Sequence, residues 1–168
     1  MSLAALFAAL AARPDEATVL HGGDRIWPAA AFRAAIADFA ERLRGCRSLA
    51  ILADNSPAWV IADLAALRAG IPVVPLPTFF TPAQIAHVLA QTGADAVLTD
   101  QPGRITGLGA GFAHGDYWQG LAWLTRSAQP AALPAGTAKV SFTSGSTGNP
   151  KGVCLSADGL ADTAAAIT

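Results

Sequence analysis

The chain has 168 residues, enough for one domain with a real core. Hydrophobic residues make up 52% and charged residues 14%, against roughly 25% charged in an average globular domain. Either alanine dilutes the charge, or part of the surface is normally covered by protein that these residues do not include. A net charge of −1 gives no basic footprint for nucleic acid or for an anionic membrane surface.

Residues 1–12 are apolar, and Leu3, Leu6, Phe7 and Leu10 fall on one helical face that Arg13 and Pro14 close. The basic start of a secretory leader is missing, and no apolar run nears the ~18 residues of a membrane span. Cys46 and Cys154 have neither metal-like nor redox spacing; they read as reduced thiols of a cytoplasmic protein. Residues 17–20 and 25–27 are short strands around Gly22-Gly23-Asp24, a hairpin turn. Pro28 then suits a first helical position, with Phe32, Ile36, Phe39 and Leu43 as the buried face of a helix ending near Gly45. Residues 49–53 form a continuous apolar strand, as a parallel sheet covered on both faces requires.

Ser56 caps and Pro57 opens the next helix, which turns Leu64 and Leu67 inward and stops at Gly70. Asp54, after its strand, could line a cleft, but capping the following helix is the role expected of it. Residues 73–76 are a strand, Thr81 and Gln84 make a capping box around Pro82, and Ile85, Val88 and Leu89 face inward. Residues 96–99 are a further strand. Residues 101–116 read as irregular, because Gly107, Gly109 and Gly111 miss the dinucleotide spacing. Residues 117–127 read as a short helix, and residues 129–136 as a connector to a strand over 139–142. Strands alternating with helices at this spacing imply an α/β fold, with a mostly parallel sheet flanked by helices. His21, His87 and His114 are scattered and read as solvent or packing residues. The four tryptophans, without basic neighbours, read as core or covered surface.

The most informative stretch follows the last of these strands: Val140-Ser141-Phe142-Thr143-Ser144-Gly145-Ser146-Thr147-Gly148-Asn149-Pro150-Lys151-Gly152. Glycines let a ligand approach the main chain, and successive N–H groups of such a loop converge on an anion. Hydroxyls add donors, and Lys151 adds a mobile charge; the combination suits nucleotide phosphates. The NTPase phosphate loop does not fit, because Pro150 and Gly152 stand where that pattern needs Gly and Ser/Thr. Position by position from Val140 to Lys151, the stretch resembles the signature of the adenylate-forming (AMP-binding) superfamily, which includes acyl-CoA synthetases. Residues 49–59 and 67–77 resemble that family's upstream strand–helix–strand, so the likeness reaches from about Trp27 to Lys151.

The resemblance implies the N-terminal part of a large ligase domain, ending in this sequence shortly after the phosphate loop. The implied reaction joins a carboxylic acid to ATP, releases pyrophosphate and passes the acyl group to a thiol. ATP with its Mg2+, coenzyme A as co-substrate and a carboxylic acid, a fatty acid being the expected class, are the implied partners. Thr143, Ser144, Gly145, Ser146, Thr147, Gly148 and Lys151 are the implied ATP phosphate-binding residues. No metal ligand is assigned, and no Tyr-Gly-x-Thr-Glu segment or late catalytic lysine is present, so these groups are expected beyond Thr168. The 168 residues alone are expected to be inactive and, lacking the C-terminal part, to self-associate. Peptide-synthetase adenylation domains usually carry an Asp-Pro pair after the apolar strand; here Leu76-Pro77-Thr78-Phe79-Phe80-Thr81-Pro82 stands instead, which looks closer to acyl-CoA synthetases. Two alternatives stay open: a free-standing ATP- or pyrophosphate-binding module without ligase activity, and a piece of a peptide-synthetase adenylation domain.

Overall fold

All four residues of Leu49–Leu52 (β3) are buried, and the strand lies between two parallel neighbours, Val73–Pro75 (β4) and Ala96–Thr99 (β5). Side chains alternate along these strands. Leu49, Ile51, Val73, Ala96 and Leu98 join one core cluster, while Ala50, Leu52, Val74 and Val97 join another. The first cluster is closed by Ala29–Arg42 (α2) and Pro57–Ala69 (α3), the second by Pro82–Thr92 (α4) and Pro102–Thr106 (α5). The computed structural model describes residues 2–22, 25–129, 131–143 and 149–167.

The full sheet has seven strands in the order β6-β7-β5-β3-β4-β8-β9. Here β6 is Ala113–Trp118, β7 Leu121–Thr125, β8 Thr137–Thr143 and β9 Lys151–Ser156. The expected parallel sheet is present as a centre, β5-β3-β4-β8; β7, β6 and β9 add antiparallel margins. A separate hairpin, Thr18–Gly22 (β1) with Arg25–Pro28 (β2), precedes α2. Gly22 pairs with Arg25; Gly23 and Asp24, expected to form the turn, lie outside the described residues. A Cβ on Gly22 would overlap the ring of Pro57, so this hairpin packs directly on the start of α3. Leu3–Ala11 (α1) presents Phe7 and Leu10 to the first core cluster, and Ala157–Ile167 (α6) follows β9.

Several expectations change. Residues 117–127 are not a helix: Trp118 pairs with Leu121 across a two-residue turn in which Gln119 and Gly120 have φ of 49° and 84°. Both central residues are left-handed, the geometry that joins twisted strands tightly. The apolar run Leu121–Leu124 is too short for periodicity to separate helix from strand. Within residues 101–116, α5 and the start of β6 are regular, whereas the glycine-rich residues 107–112 between them are turns and coil, as expected. In α3, Leu64 and Leu67 are only half-buried; Ala58, Ile61, Ala62, Ala65 and Ala66 face inward. Small side chains there let the helix sit close beneath α2 and above the sheet. Pro28 is the N-cap of α2, with an extended ψ of 156°, rather than its first helical residue. Strand β9 carried no expectation at all.

At the amino ends of the parallel strands, two charged side chains take several main-chain groups, although the buried Ser48 hydroxyl has no partner among the described residues. The Asp95 carboxylate accepts from the N–H groups of Arg47 (3.0 Å) and Ser48 (3.1 Å) and from Arg47 Nε (3.2 Å). Arg126 donates to the carbonyls of Ala94 (2.9 Å), Ala110 (3.1 Å) and Leu89 (2.9 Å), with Phe112 under its guanidinium at 4.4 Å. Burial pulls the Arg126 pKa down, and Asp95 opposes that pull. Arg126→Lys keeps the charge but cannot reach three diverging carbonyls. It is expected to lower stability by about 2 kcal/mol, read from the urea midpoint.

Candidate functional site

The carboxyl ends of the parallel strands form the opposite rim, where open α/β sheets place their ligands. β3 runs into Asp54 and Asn55, β4 into Leu76 to Phe79, β5 into Asp100, and β8 ends at Thr143. Asp54 does not cap α3. Ser56 does, its Oγ accepting from Trp59 N at 3.2 Å, while the Asp54 N–H donates to Asp100 Oδ2 at 3.3 Å. Arg104 donates to the Thr78 carbonyl (2.7 Å) and to that of Phe80, which fixes the loop after β4 and leaves Phe79 78% exposed. A recess of about 290 Å³ lies between Asp54, Asn55, Trp59 and Phe79.

Next to it stands the β8–β9 hairpin. Its register pairs Thr143 with Lys151, Phe142 with Gly152 and Val140 with Cys154. Thr143 and Lys151 are both exposed and oppose each other where the hairpin opens into residues 144–150. Among the described residues, Lys151 makes no ion pair. Ser144, Gly145, Ser146, Thr147 and Gly148 lie outside the described residues. Of the seven expected phosphate-binding residues, the structure therefore brings Thr143 and Lys151 together. Gly152 has its own steric reason: a Cβ there would come within 2.9 Å of Phe142 Cζ and 3.2 Å of Val140 Cγ1.

Two side-chain ties hold this hairpin in place, and neither was visible in the sequence. Backbone register joins β8 to β4 at one pair only, Val73 with Lys139. The Lys139 ammonium lies 2.8 Å from Asp63 Oδ1 on α3 and 5.4 Å from the Trp59 ring centre. On the other face, His87 Nε2 of α4 lies 3.2 Å from the Pro150 carbonyl. His87 was expected to serve only solvent or packing; instead it meets the arm of the loop beside Lys151. Under this contact is a recess of about 430 Å³ lined by His87, Gln91, Val140, Phe142, Lys151 and Cys154 among others. Of the two free thiols, Cys154 is exposed. Burial, and secondarily Asp95, push the half-buried Cys46 thiol upward.

Comparison with known proteins gives the family. The sequence profile described as AMP-binding enzyme matches residues 6–168. The chain belongs to this family of adenylate-forming enzymes. It is 32% identical over 117 residues to the polyketide synthase-nonribosomal peptide synthetase phmA of Phaeosphaeria nodorum, covering 68% of this chain and 3% of that protein. It is 30% identical over 114 residues to bacitracin synthase 3 of Bacillus licheniformis, covering 67% of this chain and 2% of that protein. The amide bond synthetase McbA of Marinactinospora thermotolerans shares the fold with a TM-score of 0.74 at 21% identity, covering 99% of this chain and 36% of that one. The family chain thus spans a small share of its curated relatives and about a third of the enzyme whose fold it shares. Among the described residues, no helix is long and apolar enough to cross a membrane.

Breaking the half-buried Lys139–Asp63 pair strands one charge, so Asp63→Ala is expected to cost about 3 kcal/mol in chemical denaturation. Replacing both partners, with Lys139→Met and Asp63→Leu together, is expected to recover most of that loss. Thiol mapping by mass spectrometry is expected to find Cys154 alkylated by iodoacetamide at least about tenfold faster than Cys46, whose thiolate is disfavoured.

Proposed function

We propose that the protein carrying this chain activates a carboxylic acid with ATP and that these residues are the N-terminal, phosphate-holding portion of its large domain. A carboxylate oxygen attacks the α-phosphorus, the bond to the pyrophosphate oxygen breaks, and an acyl-adenylate forms. A thiol then attacks the acyl carbon and AMP departs. The observation that carries the reading is the hairpin itself: Lys151 faces Thr143 across the mouth of a Gly/Ser/Thr loop, at the carboxyl rim of a parallel sheet.

In this scheme Lys151 supplies a cation to the β- and γ-phosphates and to the departing pyrophosphate. Thr143, Ser144, Ser146 and Thr147 supply hydroxyl donors. Gly145 and Gly148 admit the phosphates to the main chain. Positioning and charge neutralisation are what phosphoryl chemistry mainly asks of a protein. Among the described residues no three His, Cys, Asp or Glu side chains cluster. The hydroxyl, glycine and lysine donors of this stretch suit phosphate, and magnesium is taken to arrive on the nucleotide.

The thiol is taken to be that of coenzyme A, because residues 76–82 lack the Asp-Pro pair usual in peptide synthetases, and the acid to be a fatty acid, the class the acyl-CoA-synthetase resemblance implies. A second reading, a carrier-protein thiol, is favoured by the peptide synthetases among the relatives. A cytoplasmic setting suits either. ATP–pyrophosphate exchange with a panel of carboxylic acids, followed by transfer to coenzyme A or to a pantetheinylated carrier, separates the two. Lys151→Ala is expected to weaken ATP or pyrophosphate binding by at least about tenfold, the loss of one charged contact. Binding of pyrophosphate with no exchange for any acid would instead favour a phosphate-binding module without ligase activity.

A further inference from the structure

The loop arm that ends in Lys151 is held from outside its own hairpin. Pro150 is buried although its neighbours Asn149 and Lys151 are exposed, and its carbonyl faces His87 Nε2 at 3.2 Å. A carbonyl oxygen only accepts, so Nε2 must carry a hydrogen and donate it. The donor stands on a rigid helix. α4 opens with a reciprocal capping box between Thr81 and Gln84, starts at Pro82 and ends at Gly93 in the left-handed conformation. Ile85, Val88 and Leu89 bury its other face, and Arg126 grips its last turn through the Leu89 carbonyl at 2.9 Å. The acceptor is equally restricted, because the Pro150 ring fixes φ and the next residue enters the β9 ladder. A fixed donor therefore meets a fixed acceptor one residue before the lysine.

We propose that His87 is a positioning residue for the phosphate site: its Nε2–H sets the Pro150 carbonyl and thereby the direction in which Lys151 leaves β9. This rests on the phosphate-binding reading of the hairpin. Neither His87 nor Pro150 touches phosphate in this scheme; their hydrogen bond removes conformations of the arm that ATP would otherwise have to select against. Lys139 and Asp63 fasten the base of the same hairpin on the other side of the sheet, but far from its mouth. His87 alone among the described side chains hydrogen-bonds the mouth from another element.

The test uses the protein at its natural length and four forms: wild type, His87→Phe, His87→Gln and Lys151→Ala. Phenylalanine keeps the ring and removes the donor; glutamine removes the ring and keeps an N–H near the Nε2 position. Mg-pyrophosphate affinity is measured by calorimetry, KM for ATP and kcat by ATP–pyrophosphate exchange, and folding by thermal melting. His87→Phe is expected to raise the pyrophosphate Kd and the KM for ATP about fivefold, the worth of one ordinary hydrogen bond. Its kcat should move much less. His87→Gln is expected to recover most of the lost affinity. If Lys151→Ala binds weakly while His87→Phe binds as wild type does, the inference fails and the phosphate reading stands. Equal losses in His87→Phe and His87→Gln also overturn it, since the ring would then matter and the donor would not. If wild type binds no pyrophosphate, or Lys151→Ala binds it unchanged, the phosphate reading fails and the inference with it. Should His87→Phe not fold, His87→Gln decides alone, and more than about a twofold rise in its Kd counts against the donor.

Discussion

The organisation of the molecule depends on the burial of β3. No side of this strand meets water: helices cover both faces, and β4 and β5 take its two edges. Its backbone groups must therefore all be paired within the sheet. Both neighbours run parallel to it, and a parallel neighbour can be reached only by a crossover. α3 provides one crossover and α4 the other, and they must lie on opposite faces because β4 and β5 lie on opposite sides. The same arrangement brings the carboxyl ends of β3, β4, β5 and β8 to one rim.

The two rims are chemically unlike. At the amino rim, Asp95 and Arg126 engage backbone donors and acceptors with multidentate bonds. At the carboxyl rim, Lys151, Thr143 and Phe79 stand in solvent while the loops that carry them are pinned. Arg104 holds the loop after β4 by its carbonyls, and His87 holds the arm before Lys151 in the same manner. In both, a side chain from a neighbouring helix takes a main-chain oxygen and leaves the functional side chains free. This suits chemistry that moves phosphate, in which placing charge matters more than any single reactive group.

Much of this was legible in the residue pattern. The uninterrupted apolar runs of β3 and β5 announced strands covered on both faces. Ser56-Pro57 and Thr81-Pro82 marked helix starts that the structure keeps to the residue. The signature loop gave the family before any coordinate did. What stayed hidden has physical causes. β6 and β7 turn on Gln119-Gly120, a weaker signal than Asn-Gly, and four apolar residues satisfy either period. The inward face of α3 is four alanines with Ile61, while the larger Leu64 and Leu67 are only half-buried, so hydrophobic size misled. Lys139 with Asp63 and His87 with Pro150 are separated by 76 and 63 positions, distances over which local spacing carries no information.

Gly152 joins two properties that are usually tuned apart. It follows the lysine of the signature and lies opposite Phe142, whose ring fills the space a Cβ would take. That ring also walls the recess behind the loop. Any side chain at position 152 must therefore turn Phe142 toward the cavity or lift β9 away from β8. The depth of the recess and the aim of Lys151 are in effect one mechanical coordinate. A designer wishing to reshape the cavity would do better to work from α4, at Gln91, than from the strand that carries the motif.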